Sequence, residues 1–209
     1  MIYAAFIALA QRDIKRLVAY SSITHMGLVV IGVAVWNQIT LSGTILQMIN
    51  HGVTTSALFI LIGIIDERVH SRQLADFGGL WKQMPIFSAF FLFFAMASLG
   101  MPGLNNFVGE FLILVGTLRE RPLVAVIGFA GLLLTLIYVL RMVQDFLFGK
   151  ARKEHILHDV TPREAAVLVP LAIAVLYVGL HPGPILDLVQ SAVQGLFDHT
   201  TVQIASRVL

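Results

Sequence analysis

Long apolar segments dominate this sequence and limit what the chain can fold into. Residues 17–36, 41–65 and 123–148 each reach the length of about 20 residues that an α-helix needs to cross a bilayer. Backbone amides in hydrocarbon must be paired inside the protein, and no alternating strand pattern is present. These segments predict an all-α fold, a polytopic transmembrane helix bundle.

Shorter apolar segments complete the predicted bundle. The chain opens on residues 2–10, which rise only about 14 Å as a helix and therefore predict the end of a truncated N-terminal helix. Residues 85–99, 104–118 and 164–180 are each slightly short of a usual span. Counting each of them as a span gives about six full spans in addition to the truncated helix.

Two further features concern helix ends. Gly100–Met101–Pro102–Gly103 interrupts the apolar sequence, and proline and glycine stop helical hydrogen bonding. This interruption predicts either a tight turn at the membrane surface or a broken helix near residues 100–110 that is buried in protein. Residues 183–199 show apolar and polar side chains at helical spacing, which predicts an amphipathic surface helix.

The composition agrees with a membrane bundle and excludes several functions. Charged residues make up 12% of the chain and the mean hydropathy is +0.86, whereas soluble domains carry roughly 25% charged residues. The chain has no cysteine, which excludes thiolate-ligated iron–sulfur clusters, CxxCH haem sites and disulfides. The net charge is only +2 and no basic stripe is interleaved with aromatics, so we expect no nucleic-acid partner.

Two charged residues stand close to or within apolar segments. Glu110 is the only charge between Lys82 and Arg119, which is a position typical of a proton-relay carboxylate, although a capping or helix-pairing carboxylate is the alternative. Lys15 lies in QRDIKR, either in a loop between spans or as an ammonium at membrane depth that exchanges protons. A dense group of polar residues, 20–25, follows it.

Histidines provide the other candidate proton sites. His51 shares a helical face with Gln47 and neighbouring polar residues, so it is either a hydrogen-bonded helix residue or part of a hydrated proton path. His70 is either a loop residue or an extension of that path. His155, His158 and Asp159 are too weak a pattern to predict a metal site.

The motifs of this chain resemble a known family over nearly its whole length. They are QRDIKRLVAYSSITHMG (11–27), QMINHG (47–52), DERVHSR (66–72), GGLW (78–81) and LGMPGLNNFVGEF (99–111). They are similar to the antiporter-like subunit M family of NADH-quinone oxidoreductase, respiratory complex I. The resemblance implies that residues 1–209 are the C-terminal part of a proton-translocating, antiporter-like membrane domain.

The resemblance also implies roles for particular residues. Lys15 corresponds to the lysine of the family's eighth helix, Glu110 to the acid of its broken twelfth helix, and His51 and His70 to histidines of the tenth helix and the segment after it. These residues imply a proton relay along the middle of the membrane. The family's N-terminal half is absent, so we expect a fragment, a truncated gene product or one half of a split subunit.

The implied function is proton translocation coupled to electron transfer from NADH to quinone, as a non-redox subunit without independent catalysis. The alternatives are a subunit of a multisubunit cation/proton antiporter or membrane-bound hydrogenase, and a non-conducting spacer of the membrane arm. The resemblance places the chain in the bacterial plasma (inner) membrane, in lipid and beside other membrane subunits. NADH, FMN, iron–sulfur clusters and quinone are expected in those partner subunits, and this chain is expected to hold no cofactor or metal.

The distribution of cations and the family resemblance point to opposite orientations of the chain in the membrane. Alternation over six separate spans puts eight cations at one end of the bundle and four at the other, and the positive-inside rule would make the first end cytoplasmic. The first group is Arg12, Lys15, Arg16, Arg68, Arg72, Lys82, Arg119 and Arg121. The second group is Lys150, Arg152, Lys153 and Arg163. The resemblance implies the opposite orientation, with loop 149–163 in the cytoplasm.

Overall fold

The computed structural model describes residues 1–149 and 157–208, with side chains described as far as residue 198. Within these residues the chain is helical and forms no β-strand. The α-helices of the described part are α1 (Ile2–Ala10), α2 (Ile14–Val35), α3 (Gln38–Val69), α4 (Leu80–Gln83), α5 (Pro85–Ser98), α6 (Asn105–Glu120), α7 (Pro122–Val143), α8 (Pro162–Leu180) and α9 (Gly183–Val208).

Four helices of the described part are long and apolar enough to cross a membrane. They are α2, α3, α8, and α7 together with a π-helical turn at Gln144–Phe148, while α5 is a shorter apolar helix. This architecture confirms the predicted all-α transmembrane bundle. The separate prediction of an amphipathic surface helix at residues 183–199 falls within α9, and its surface role stays a prediction.

Side-chain caps lie at the starts of α2, α3 and α8, and polar sequence does not always end a helix. Asp13 caps α2 by accepting from the backbone N–H groups of Lys15 and Arg16 at 2.8 and 3.1 Å, so α2 begins three residues before the predicted apolar segment. Asn37 and Thr40 form a capping box at the start of α3. At its other end, α3 continues past the predicted apolar segment 41–65, through the charged residues Asp66, Glu67 and Arg68 to Val69.

The predicted break between α5 and α6 is confirmed. Gly100 and Gly103 have φ values of +67° and +91°, which glycine adopts readily and other residues do not. The interruption leaves carbonyl groups at the end of α5 without helical partners. One of them, Ala97 O, accepts from the Gly100 N–H at 3.1 Å and from Asn106 Nδ2 at 3.0 Å, so the first turn of α6 helps to satisfy the last turn of α5.

One end of the bundle, called end I here, joins the start of α2 to the end of α3. The amide of Ile14 donates to Arg72 O at 2.9 Å across these two elements. The end of α3 is also tied to the start of α8, because Arg68 donates two hydrogen bonds to the Glu164 carboxylate at 2.7 and 2.8 Å. The start of α5 lies there too, because Ile86 N–H donates to Asp159 at 2.8 Å.

The opposite end, called end II here, joins the turn between α2 and α3 to the end of α6. Asn37 Nδ2 donates to Gly116 O at 3.1 Å, near the C-terminus of α6. Because α5 starts at end I and α6 finishes at end II, the two short helices run through the bundle as one interrupted crossing. These contacts favour the broken-helix alternative over a surface turn, whereas the sequence count of about six spans treated α5 and α6 separately.

This arrangement changes the comparison of cations at the two ends. Arg119 and Arg121 lie at end II, whereas the sequence count had grouped them with the cations of end I. Arg68 and Arg163 now fall at the same end, because α3 ends where α8 begins. The predicted cytoplasmic cations Lys150, Arg152 and Lys153 lie outside the described residues.

Small residues allow α3 and α6 to pack closely. A Cβ atom at Gly43 would lie 2.9 Å from Ile113 N and 3.0 Å from Gly109 O, and one at Gly109 would lie 2.9 Å from Gln47 Cα. Close backbone approach through small residues is the usual way in which membrane helices gain packing energy. This contact brings the polar faces of α3 and α6 together in the interior.

Candidate functional site

A buried carboxylate in the second turn of α6 organises the polar interior. Glu110 is 4% exposed, and its Oε1 lies 3.0 Å from His25 Nδ1 of α2. Gln47 of α3 donates from Nε2 to the same oxygen at 3.2 Å. Two helices, α2 and α3, therefore direct polar side chains at the carboxylate carried by α6, which compensates for its removal from water.

A second imidazole lies beside the first. The ring centroids of His25 and His51 are 5.3 Å apart, with 39° between the ring planes. His51 is 8% exposed, and Thr55 Oγ1 lies 3.1 Å from its Nε2. Glu110, His25 and His51, called the buried triad below, thus form a continuous group of titratable side chains.

Amide and hydroxyl side chains next to the triad fix α6 against α3. Asn50 Nδ2 donates to Asn105 O at 2.7 Å, and Asn105 Nδ2 donates to Asn50 O at 3.1 Å. Thr54 and Asn105 also exchange hydrogen bonds at 3.1 and 3.2 Å. All three residues are buried, so this network holds the first turn of α6 at a defined height on α3.

The helix break lies directly beside the triad. A Cβ atom at Gly100 would overlap with Glu110 Oε2, so glycine is required there both for its φ of +67° and for space. The second carboxylate oxygen therefore faces the interrupted backbone between α5 and α6. Broken helices at membrane depth are features of ion-transporting membrane proteins.

The four sequence-predicted site residues separate into two pairs. Glu110 and His51 lie in the buried triad. Lys15 is exposed in the first turn of α2, and His70 is exposed and ends α3 with a φ of +50°. Lys15 is therefore not part of the buried triad, because it follows the Asp13 cap by two residues at the start of α2, and its role in a proton relay stays a prediction.

Sequence reasoning missed His25 as the direct partner of Glu110. His25 belongs to the polar run 20–25, which sequence reasoning treats only as the continuation of the charged segment at Lys15. The signal in the sequence was helical spacing, since His25 lies one turn after Ser21 and the two polar residues would share a helix face. His25 and Glu110 are 85 positions apart, so their pairing depends on tertiary structure.

The residues of the weak metal pattern are His155, His158 and Asp159, and the structure gives Asp159 a different role. The Asp159 carboxylate accepts from the backbone N–H groups of Ile86 and Phe87 at 2.8 and 2.9 Å, which caps the start of α5. His158 is exposed. His155 lies outside the described residues.

The geometry supports proton exchange. A carboxylate and an imidazole nitrogen at 3.0 Å can share one proton, either as carboxylate and imidazolium or as carboxylic acid and neutral imidazole. The adjacent His51 ring offers a second site at which the same charge could reside. Ionisable side chains buried inside membrane bundles usually lie on ion or proton pathways.

Comparison with known proteins gives consistent results for sequence and fold. Residues 1–137 match the family model described as "NADH:quinone oxidoreductase/Mrp antiporter, TM". NADH-quinone oxidoreductase subunit M of Pseudomonas aeruginosa is 44% identical over 194 residues, covering 93% of this chain and 38% of that protein. The chain therefore spans well under half the length of this relative.

Solved structures show the same fold. A chain of respiratory complex I from Thermus thermophilus with bound NADH aligns with a TM-score of 0.85 at 29% identity, over 93% of this chain and 42% of that one. A chain of the Mrp complex from Dietzia sp. DQ12-45-1b also gives a TM-score of 0.85, over 96% of this chain and 46% of that one. Its identity is 22%, so this likeness concerns the fold alone.

Proposed function

The chain belongs to the NADH:quinone oxidoreductase/Mrp antiporter membrane family, and on this premise we propose that it takes part in proton translocation within NADH-quinone oxidoreductase, as part of subunit M. It contributes proton sites inside the membrane, and redox chemistry takes place elsewhere in the complex. We propose that the chain acts in the bacterial inner membrane, beside other membrane subunits. NADH, FMN, iron–sulfur clusters and quinone belong to partner subunits in this proposal.

The buried triad is the observation that carries the proposal. Glu110 is almost completely removed from solvent and yet is held by groups that tolerate either protonation state, because an imidazole can donate or accept and Gln47 donates. A carboxylate needed only for packing would cost several kcal/mol in an apolar segment. We infer that the triad is kept because protons move through it.

The triad works as a set of coupled sites. A proton on His25 stabilises the Glu110 carboxylate through the 3.0 Å contact, and its departure makes Glu110 a better proton acceptor. A positive charge on His25 also opposes protonation of His51, because the rings are 5.3 Å apart. Each proton movement therefore changes the affinity of the next site.

Lys15 and His70 stay predictions as relay residues. Both side chains are exposed at end I, so in this proposal they exchange protons with the solvent at that end and the buried triad carries the intramembrane step. Their substitution should therefore affect pumping less than substitution of Glu110.

Glu110→Gln in the assembled complex tests the proposal. The amide keeps the shape and removes the titrating group, so NADH-driven acidification of inverted membrane vesicles should be lost or strongly reduced. Glu110→Asp should retain part of the activity. Glu120→Gln is the matched control, because it makes the same chemical change at an exposed position of the same helix and should leave pumping unchanged.

Native gel electrophoresis first establishes that each variant complex assembles in normal amount. Normal turnover and a normal proton-to-electron ratio in Glu110→Gln would remove this carboxylate from the proton path. That result would favour the non-conducting spacer as the role of this chain.

A further inference from the structure

A chain of buried hydroxyl groups connects α7 with α2 outside the triad. Tyr138 donates from its hydroxyl to Ser21 Oγ at 2.9 Å, and the same hydroxyl lies 3.2 Å from Thr135 Oγ1. Tyr138, Thr135 and Ser21 are 1%, 1% and 7% exposed. These hydroxyls make no contact described for the triad, and their hydrogen bonds connect α7 to α2 inside the bundle.

One end of this hydroxyl chain meets a cavity at end I. The cavity has a volume of about 320 Å³, is partly open, and is lined by Tyr138 together with the polar residues Gln11, Arg12, Arg141 and Asp145. Such a volume holds several water molecules, each of which needs about 30 Å³. Tyr138 therefore lies between a polar cavity and the buried hydroxyl of Ser21.

The other end of the hydroxyl chain is Ser21, which lies on α2 on the side of the triad. Ser21 and His25 are four residues apart on α2, so they share a face one helical turn apart. Within the described residues His25 Nε2 is buried without a hydrogen-bond partner, whereas Nδ1 is engaged by Glu110. One turn rises about 5.4 Å along the helix axis, and a separation of that order between two polar groups can be bridged by one water molecule.

We propose that Tyr138 and Ser21 form a proton access path from the cavity at end I to His25 and Glu110. This inference rests on the proposed function and adds the route by which protons reach the triad. The Tyr138 hydroxyl gives its proton to Ser21 Oγ while it accepts one from cavity water, and Ser21 passes a proton on in the same way. Each hydroxyl stays neutral, and one proton arrives at His25.

The charged groups around the path are few in the described part of the chain. Arg12 approaches the cavity from the turn between α1 and α2, and Arg141 and Asp145 approach from α7 and its π-helical end. Arg141 and Asp145 form an ion pair at 3.7 Å. At the inner end, the ionisable groups are His25 of α2, Glu110 of α6 and, beside His25, His51 of α3.

Two hydroxyl deletions with matched controls test the path. Tyr138→Phe removes only the hydroxyl, and its control is Tyr177→Phe, an exposed tyrosine of α8. Ser21→Ala interrupts the path at the next step, and its control is Ser22→Ala, whose hydroxyl bonds to Val18 O in its own helix at 3.2 Å. The four complexes are compared in inverted vesicles, where proton uptake occurs from the outer medium.

The readout is the pumping rate as a function of the pH of that medium. Tyr138→Phe and Ser21→Ala should lower pumping at alkaline pH about tenfold or more, because proton delivery becomes limiting. Acidification of the medium should restore much of the rate. The double variant should be no worse than either single variant, because one interruption already closes the path.

Other results separate this inference from the proposed function. Hydroxyl variants that pump like their controls at every pH, while Glu110→Gln does not pump, would overturn the path and leave the function standing. Reduced amounts of assembled complex with a normal pH profile would show that Tyr138 only joins α7 to α2. Normal pumping by Glu110→Gln would contradict the function itself. If Tyr138→Phe fails to assemble, Ser21→Ala decides the question by the same readout.

Discussion

Gly100→Ala should disturb the Glu110 carboxylate without changing any titratable group. A methyl group at this position would overlap with Glu110 Oε2 and lie 3.2 Å from its Cδ. Gly103→Ala is the matched control, because Gly103 also has a positive φ but its Cβ would meet only Leu180 Cδ2, at 3.8 Å. Both variants strain the backbone of the helix break, but only Gly100→Ala places an atom against a side chain of the triad.

The loss of stability from backbone strain and the loss of pumping rate from displacement of the carboxylate can both be estimated from the structure. An L-residue with a left-handed backbone costs about 1–2 kcal/mol, so both variants should lower stability by at least that amount. At Gly100 the carboxylate must also move by roughly 1 Å to restore van der Waals distance. The other oxygen, Oε1, makes the 3.0 Å contact with His25, and a displacement of that size along the contact is enough to take it out of hydrogen-bond geometry. Misplacement of a reacting group by about 1 Å can cost up to about 10²-fold in rate.

The assay compares heat stability and pumping in the same preparations. Both glycine variants should lose assembled complex at a lower temperature than the parent protein. Proton pumping per NADH oxidised, measured well below that temperature, should fall strongly in Gly100→Ala and stay near normal in Gly103→Ala. Equal pumping in the two variants would refute the reasoning, because backbone strain alone would then account for any effect.

Three other predictions concern packing, capping and orientation. Gly43→Ala should impair assembly because its Cβ would lie 2.9 Å from the backbone of α6, whereas Gly52→Ala, with no atom within 4 Å, should assemble normally on native gels. Asp159→Ala removes the cap of α5 and should cost about 0.5–2 kcal/mol, seen as a lower melting temperature with an unchanged pumping ratio. Because the chain has no cysteine, single cysteines at Arg72 and Arg121 should react with a membrane-impermeant maleimide from opposite sides, and labelling from the same side would contradict the single crossing of α5 and α6.

Local sequence was sufficient for most of the architecture. Apolar segments predicted the helices of the bundle, because exposed backbone is excluded from hydrocarbon wherever it occurs. Gly100 and Gly103 predicted the break, because their conformational freedom and the adjacent proline act within a few residues. Glu110 was identifiable because a lone charge in an apolar segment is costly in any fold that keeps it in the membrane.

Only the tertiary structure decided which residues meet. The sequence left Lys15 either in a loop or at membrane depth, and the structure places it in the exposed first turn of α2, two residues after the Asp13 cap. His25 carried no charge signal, and it became the partner of Glu110 because α2 and α6 lie side by side in the bundle. Likewise, α5 and α6 are two short segments in the sequence, and they form one crossing because their outer ends are tied to opposite ends of the bundle. Hydrophobicity acts residue by residue and can be read along the chain, whereas a proton site depends on distances of about 3 Å between helices, which packing alone determines.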